Sequence, residues 1–189
     1  MLYPIQNDLR NKLDISGIWD FKTDPDGVGE ASGWANGLTG SRPMAVPGSW
    51  NEQYDDLFGY LDLAWYVKKA YIPSGWKGQR VFIRVGSAVY FGTIYLNGVK
   101  IGTHEGGHLP FAFEITENIK WGEANVIAIS VENVLKPSRV PSGNMPGSDV
   151  SMFASTPKTT YDFYPFAGIH RPVVLYSVPQ TFIEDVTVV

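Results

Sequence analysis

Short runs rich in β-branched and aromatic residues, each stopped by Gly, Pro or Asn, recur along the chain, and no long segment sustains an apolar period near 3.6 residues. This restricts the fold more than any motif does, because antiparallel strands with no helices to cover them must pack sheet on sheet. Strands are predicted at 17–22 (GIWDFK), 64–72 (AWYVKKAYI), 80–85 (RVFIRV), 92–98 (GTIYLNG), 99–104 (VKIGTH), 125–133 (NVIAISVEN), 172–177 (PVVLYS) and 181–189 (TFIEDVTVV). In RVFIRV, Val81, Ile83 and Val85 share one face while Phe82 and Arg84 share the other, and Ile127, Ile129 and Val131 line one face of the later strand. One face is thus buried and the other at least partly wet. Asn97-Gly98 stands between two strand-like runs and tolerates the positive φ of a type I′ hairpin turn. The chain reads as an all-β, two-sheet sandwich, with helix confined to a turn at 33–38 (GWANGL).

A chain of 189 residues, 44% hydrophobic and 18% charged, can bury a core of its own as one domain. Its net charge of -4 supplies no basic surface for phosphate backbones, so neither nucleic acid nor an anionic membrane is an expected partner. Zero cysteines remove disulfides, thiolate nucleophiles and Cys-based zinc sites together. The start, MLYPIQNDLRNKLD, lacks the apolar stretch of a signal peptide, no Asn opens an Asn-x-Ser/Thr sequon, and no apolar run is long enough to span a bilayer. A cytoplasmic protein is expected. Between 134 and 160 the strand pattern gives way to VLKPSRVPSGNMPGSDVSMFASTPKTT, a loop long enough to suggest a surface ordered by another domain or a ligand.

Each chemistry-bearing cluster has a structural reading beside the functional one. Asp55-Asp56 and Glu184-Asp185 are paired carboxylates, but neighbours on a strand point to opposite faces, so a solvated acidic edge is preferred to a catalytic dyad. His104 and His108 in THEGGH resemble a zinc motif, yet their glycines weaken the helix that would align the two rings; no metal site is expected, and no cofactor. The glycines of GSAVYFGTIYLNG lack a following helix N-terminus to hold phosphate and read as sheet and turn. Trp19, Trp50, Trp65 and Trp121 could stack on pyranose rings, but core packing is the preferred use of each. Taken alone, Asp162 in TTYDFYPFAGIHRPVVLY reads as a loop or Asx-turn carboxylate.

The segments LDISGIWDF, AVPGSWNEQ, WYVKKAYIPSGWKGQRVFIRVGSAVYFGTIYLNGVKIGTHEGGHLPFAFEIT and FAGIHRPVVLY occur in that order. Together they resemble the N-terminal sugar-binding domain of glycoside hydrolase family 2, in its β-glucuronidase branch. The most specific part is LNGVKIGTHEGGHLPFAFEIT, and FAGIHR closes the match in the manner of that branch. The resemblance implies a jelly-roll, galactose-binding-domain-like β-sandwich over residues 1–180, with 181–189 starting the connection to an immunoglobulin-like domain and then a TIM barrel. It places both catalytic glutamates beyond Val189, so no residue here is expected to be catalytic, and it implies a homo-oligomeric parent that hydrolyses β-glucuronides with retention. It makes Asp162 a contact to sugar hydroxyls, a role suited to a carboxylate that accepts two hydrogen bonds. Tyr161 stands where relatives carry a His, and YPF replaces an NYA-like approach. Ala167-Gly168 is expected to make a tight backbone step and Arg171 to pair with a carboxylate inside the domain. A stand-alone carbohydrate-binding module, needing an exposed aromatic platform or an acidic calcium site on the sandwich, and the same domain of a β-galactosidase or β-mannosidase are the alternatives.

Overall fold

The structure is a computed structural model that describes residues 3–140, 142, 161 and 163–188. Its strands, in chain order, are β1 (Asn11–Asp14), β2 (Gly17–Thr23), β3 (Arg42–Val46), β4 (Gly48–Ser49), β5 (Leu63–Tyr71), β6 (Arg80–Val89), β7 (Phe91–Leu96), β8 (Val99–Glu105), β9 (Phe111–Glu114), β10 (Ala124–Glu132) and β11 (Gly168–Val178). One sheet has the order β1-β11-β6-β9, with β4 also paired to β11, and the other β3-β2-β5-β10-β7-β8. Every pairing is antiparallel. Among the described residues, helix is limited to short 3-10 turns, one of them at Trp34–Asn36 inside the expected GWANGL turn. None is long and apolar enough to cross a membrane.

Alternation builds the core. Val81, Ile83 and Val85 from one sheet meet Ile127, Ile129 and Val131 from the other, all at most 1% exposed. Trp19, Trp50, Phe21 and Tyr66 fill the same layer, and Phe21 packs edge-on to Tyr66 at 5.0 Å. The hairpin from β7 to β8 closes at Asn97 (φ 52) and Gly98 (φ 82), as the Asn-Gly pair demands. The Asn97 side chain fixes the turn by donating to the Asn118 carbonyl at 2.8 Å and accepting from the Val126 amide at 3.0 Å.

Trp65 is buried but lies on the far side of the six-stranded sheet, clustered with Ala35, Val67, Tyr95 and Ala128 beneath the loop that follows β2. Trp121 is only half-buried against the main core. The expected strand at 181–189 does not form: residues 181–188 join neither sheet, and Ile183, Val186 and Val188 are exposed. Their β-branched composition is strand-like, but no described strand offers them a ladder of hydrogen bonds. Most of the loop at 134–160 lies outside the described residues.

Candidate functional site at one end of the sandwich

The AVPGSWNEQ segment sets the floor of the site. Ser49 accepts the Asn51 amide at 3.2 Å, and the buried Asn51 carboxamide donates to the carbonyls of Leu57, Phe58 and Tyr60 at 2.9 to 3.1 Å. Its oxygen accepts the Ala167 amide at 2.9 Å, and the Ala167 carbonyl accepts the Trp50 amide at 3.1 Å. Gln53 holds the same bend, accepting from the Ala45 amide at 2.7 Å and donating to the Ser49 carbonyl at 3.1 Å. The Ala167-Gly168 step is as tight as expected: Gly168 has φ +128, and a Cβ there would stand 2.7 Å from the Gly48 carbonyl.

Above this floor lies a cavity of roughly 290 Å³. It brings together Val89 and Tyr90 at the β6–β7 junction, His108 from the β8–β9 loop, residues 133–135 and Arg139 beyond β10, Tyr161 and residues 163–166 ahead of β11, and His170 on β11. Arg139 is 4% exposed and ties the post-β10 segment down, donating to Glu132 at 2.5 Å and to Glu105 at 3.3 Å while its guanidinium lies 5.0 Å from the Tyr90 ring centre. Burial pushes the Glu132 carboxyl up, but hydrogen bonds from Lys136 and Arg139 outweigh it and hold the group below its ordinary value. Asn133 donates to the Pro165 carbonyl at 2.9 Å, locking the YPF segment onto the end of β10.

The remaining wall is aromatic. Tyr161 stacks on Phe163 at 4.3 Å, Tyr164 lies 4.9 Å from Phe166 and 5.0 Å from Phe58, and the Tyr164 hydroxyl donates to the Phe58 carbonyl. Phe163 is 59% exposed. His170 faces the cavity with Nε2 sealed from solvent and no hydrogen-bond partner among the described residues. Burial pulls its pKa below the ordinary 6.5 and nearby His108 adds to the effect, against opposing contributions from the Ala167 backbone and Glu52. An apolar hollow with a few fixed polar groups suits a small ring-bearing ligand. No Asp or Glu is among its described lining residues, so these do not supply the facing carboxyls of glycoside hydrolysis.

Asp162 lies outside the described residues, although its chain neighbours Tyr161 and Phe163 both line the cavity. Arg171 differs from expectation: its guanidinium donates to the His108 carbonyl at 3.2 Å and forms no ion pair with a described carboxylate. His104 and His108 do not converge, since His104 lies on β8 stacked 4.5 Å from Phe111 while His108 reaches the cavity from the next loop. Asp56 is a surface group paired with Arg42 at 2.9 Å, and Glu184 and Asp185 are exposed. Residue-by-residue chemistry did not find Asn51, Asn133, Arg139 or His170; for His170 the signal available was its place inside FAGIHR.

The family model described as glycosyl hydrolases family 2, sugar binding domain, matches residues 11–179. A β-glucuronidase of Canis lupus familiaris is 36% identical over 206 residues, covering 100% of this chain and 32% of the relative. That of Paenibacillus borealis is 36% identical over 194 residues, covering 100% and 33%. Among solved structures, Lactobacillus rhamnosus β-glucuronidase superposes with a TM-score of 0.86 at 36% identity, over 94% of this chain and 30% of that one. The Ruminococcus gnavus β-glucuronidase in complex with D-glucuronic acid gives 0.86 at 32% identity, over 95% and 31%. The chain spans about a third of the length of these relatives. It belongs to glycosyl hydrolase family 2, as a sugar-binding domain homologous to part of the β-glucuronidases.

Proposed function

We propose that this chain is the non-catalytic sugar-binding domain of a retaining β-glucuronidase-like hydrolase and supplies part of the rim of its substrate pocket. The observation that carries the reading is the aromatic cavity whose wall includes Tyr161 and Phe163, the residues flanking Asp162, in a chain matched along its whole length by β-glucuronidases. In this reading Asp162 accepts hydrogen bonds from sugar hydroxyls, Asn51 and Asn133 hold the segment that carries it, and the two catalytic glutamates belong to a barrel outside these 189 residues. The parent is a homo-oligomer whose immunoglobulin-like and barrel domains cover the open side of the cavity.

The test compares this chain with its full-length parent. The parent is expected to hydrolyse an aryl β-glucuronide, with the β-anomer of glucuronic acid appearing first by proton NMR. The chain alone is expected to release no aglycone and to bind glucuronides with Kd above about 1 mM, because a rim leaves most sugar hydroxyls unpaired. Submillimolar binding by the isolated chain would favour a stand-alone carbohydrate-binding module, for which the exposed Phe163 and Phe58 would be the platform. A parent that prefers β-galactosides or β-mannosides would leave the fold reading intact and overturn the sugar assignment.

A further inference from the structure

The outer face of the five-stranded sheet carries a charge that no described residue neutralises. Along β6, Val81, Ile83 and Val85 turn into the core, so Phe82, Arg84 and Gly86 fall on the opposite face. Arg84 is 7% exposed, its Nε is sealed from solvent without an acceptor, and its guanidinium has no hydrogen bond or ion pair to any described residue. What covers it is the Tyr3 ring, with its centre 4.9 Å away. A cation–π contact does not supply the acceptor that the sealed Nε–H lacks.

Gly86 adds a second, independent feature. A Cβ there would stand 2.6 Å from the Cβ of Arg171, so its absence lets Arg171 lie against β6 two residues along from Arg84. The two cations are close enough that Arg171 joins burial in drawing Arg84 below its ordinary pKa. Neighbouring carboxylates are engaged elsewhere: Glu114 binds Arg80 through both oxygens at 3.1 and 2.7 Å, and Asp14 accepts the Ser16 amide at 2.8 Å.

We propose that the outer face of this sheet binds a carboxylate between Arg84 and Arg171, beside Tyr3. A planar carboxylate matches the fork of one guanidinium in two parallel hydrogen bonds and relieves the repulsion between the arginines. The carboxylate can come from a free acid or from an acidic side chain of an adjoining polypeptide.

The experiment follows the arginine Nε–Hε resonances of the ¹⁵N-labelled 189-residue chain during titration with sodium acetate, a hexaglutamate peptide or sodium phosphate, each against sodium chloride at equal ionic strength. A saturable downfield shift of the Arg84 resonance by acetate establishes a site open to free acids; a shift by the peptide alone establishes one for a protein-borne carboxylate. Arg84→Lys is expected to weaken the response at least tenfold and Arg84→Met to abolish it at Arg171. Responses of the unsubstituted chain no larger than those to chloride, or its tighter binding of phosphate than of both carboxylates, overturn the proposal whether or not the variants fold.

Discussion

Two polar and aromatic regions flank the apolar core, and they are finished differently. Under the loop that follows β2, Asp24 is 1% exposed and both its oxygens are used: Oδ1 accepts the Val28 amide at 2.8 Å, and Oδ2 accepts the Gly29 amide and the Trp65 indole N–H, each at 2.9 Å. The Trp65 ring in turn lies tilted 5.2 Å from Tyr95 and meets Trp34 edge-on. At the cavity end, aromatic rings are equally dense, but Phe163 and Phe166 stand partly in solvent and His170 keeps an unpaired nitrogen. Groups that only hold a fold together satisfy one another. Groups left unmet beside a hollow remain available to a further partner, a difference that aromatic composition alone does not express.

The contrast can be broken most severely on the closed side. Asp24→Ala leaves three N–H donors without their acceptor and is expected to cost roughly 3 kcal/mol or more in urea unfolding. Gly29→Ala sets a Cβ 2.3 Å from Trp65 Nε1 and 2.7 Å from Asp24 Oδ2, for an expected loss of about 1–3 kcal/mol by the same assay. A loss below about 0.5 kcal/mol from either change would show that this region is not the rigid one.

The open side responds more gently, and to pH. Because burial holds folded His170 below its ordinary 6.5, the unfolded chain takes up that proton first. The neutral His170 therefore contributes fully above the unfolded value, and stability falls as pH drops through 6.5 towards the lower folded value. His170→Phe should flatten this part of the profile, whereas acid loss from Glu132 and Glu114, both held below 4.5, begins at lower pH. An identical slope in the variant between about pH 7.5 and 5.5 would show that His170 does not set the pH dependence. Smallest of all, Phe163→Ala should change stability by no more than about 0.5 kcal/mol, since the ring is largely exposed.

The sandwich was legible because its long strands alternate and its hairpin carries Asn97-Gly98. The short strands were not: Asn11–Asp14 carries both a Lys and an Asp, Arg42–Val46 opens with an Arg and a proline, and their place is set by distant partners such as Asn11 opposite Ser177 and Met44 opposite Trp19. The end of the chain misleads because strand-like composition at 181–189 does not supply a neighbour to pair with. Trp65 is buried as expected, but which side of a sheet it covers depends on a distant loop that carries Trp34, Ala35 and Leu38. The cavity was the least legible part, since β6, β10 and β11 deliver Val89, Asn133 and His170 from far apart in the chain. The FAGIHR resemblance pointed to a segment that lines the cavity, while the residue proposed to touch sugar lies outside the described residues.

The most direct measurement replaces Asp162 by Ala in the full-length parent and follows glucuronide hydrolysis and thermal melting on the same preparation. If its carboxylate holds sugar hydroxyls, each lost charge-assisted hydrogen bond is worth about 1.5–3 kcal/mol, so kcat/KM should fall roughly ten- to a hundredfold or more while Tm is unchanged. An unchanged kcat/KM with a lowered Tm would make Asp162 a loop-capping carboxylate and contradict the assignment of this end of the sandwich to the substrate pocket.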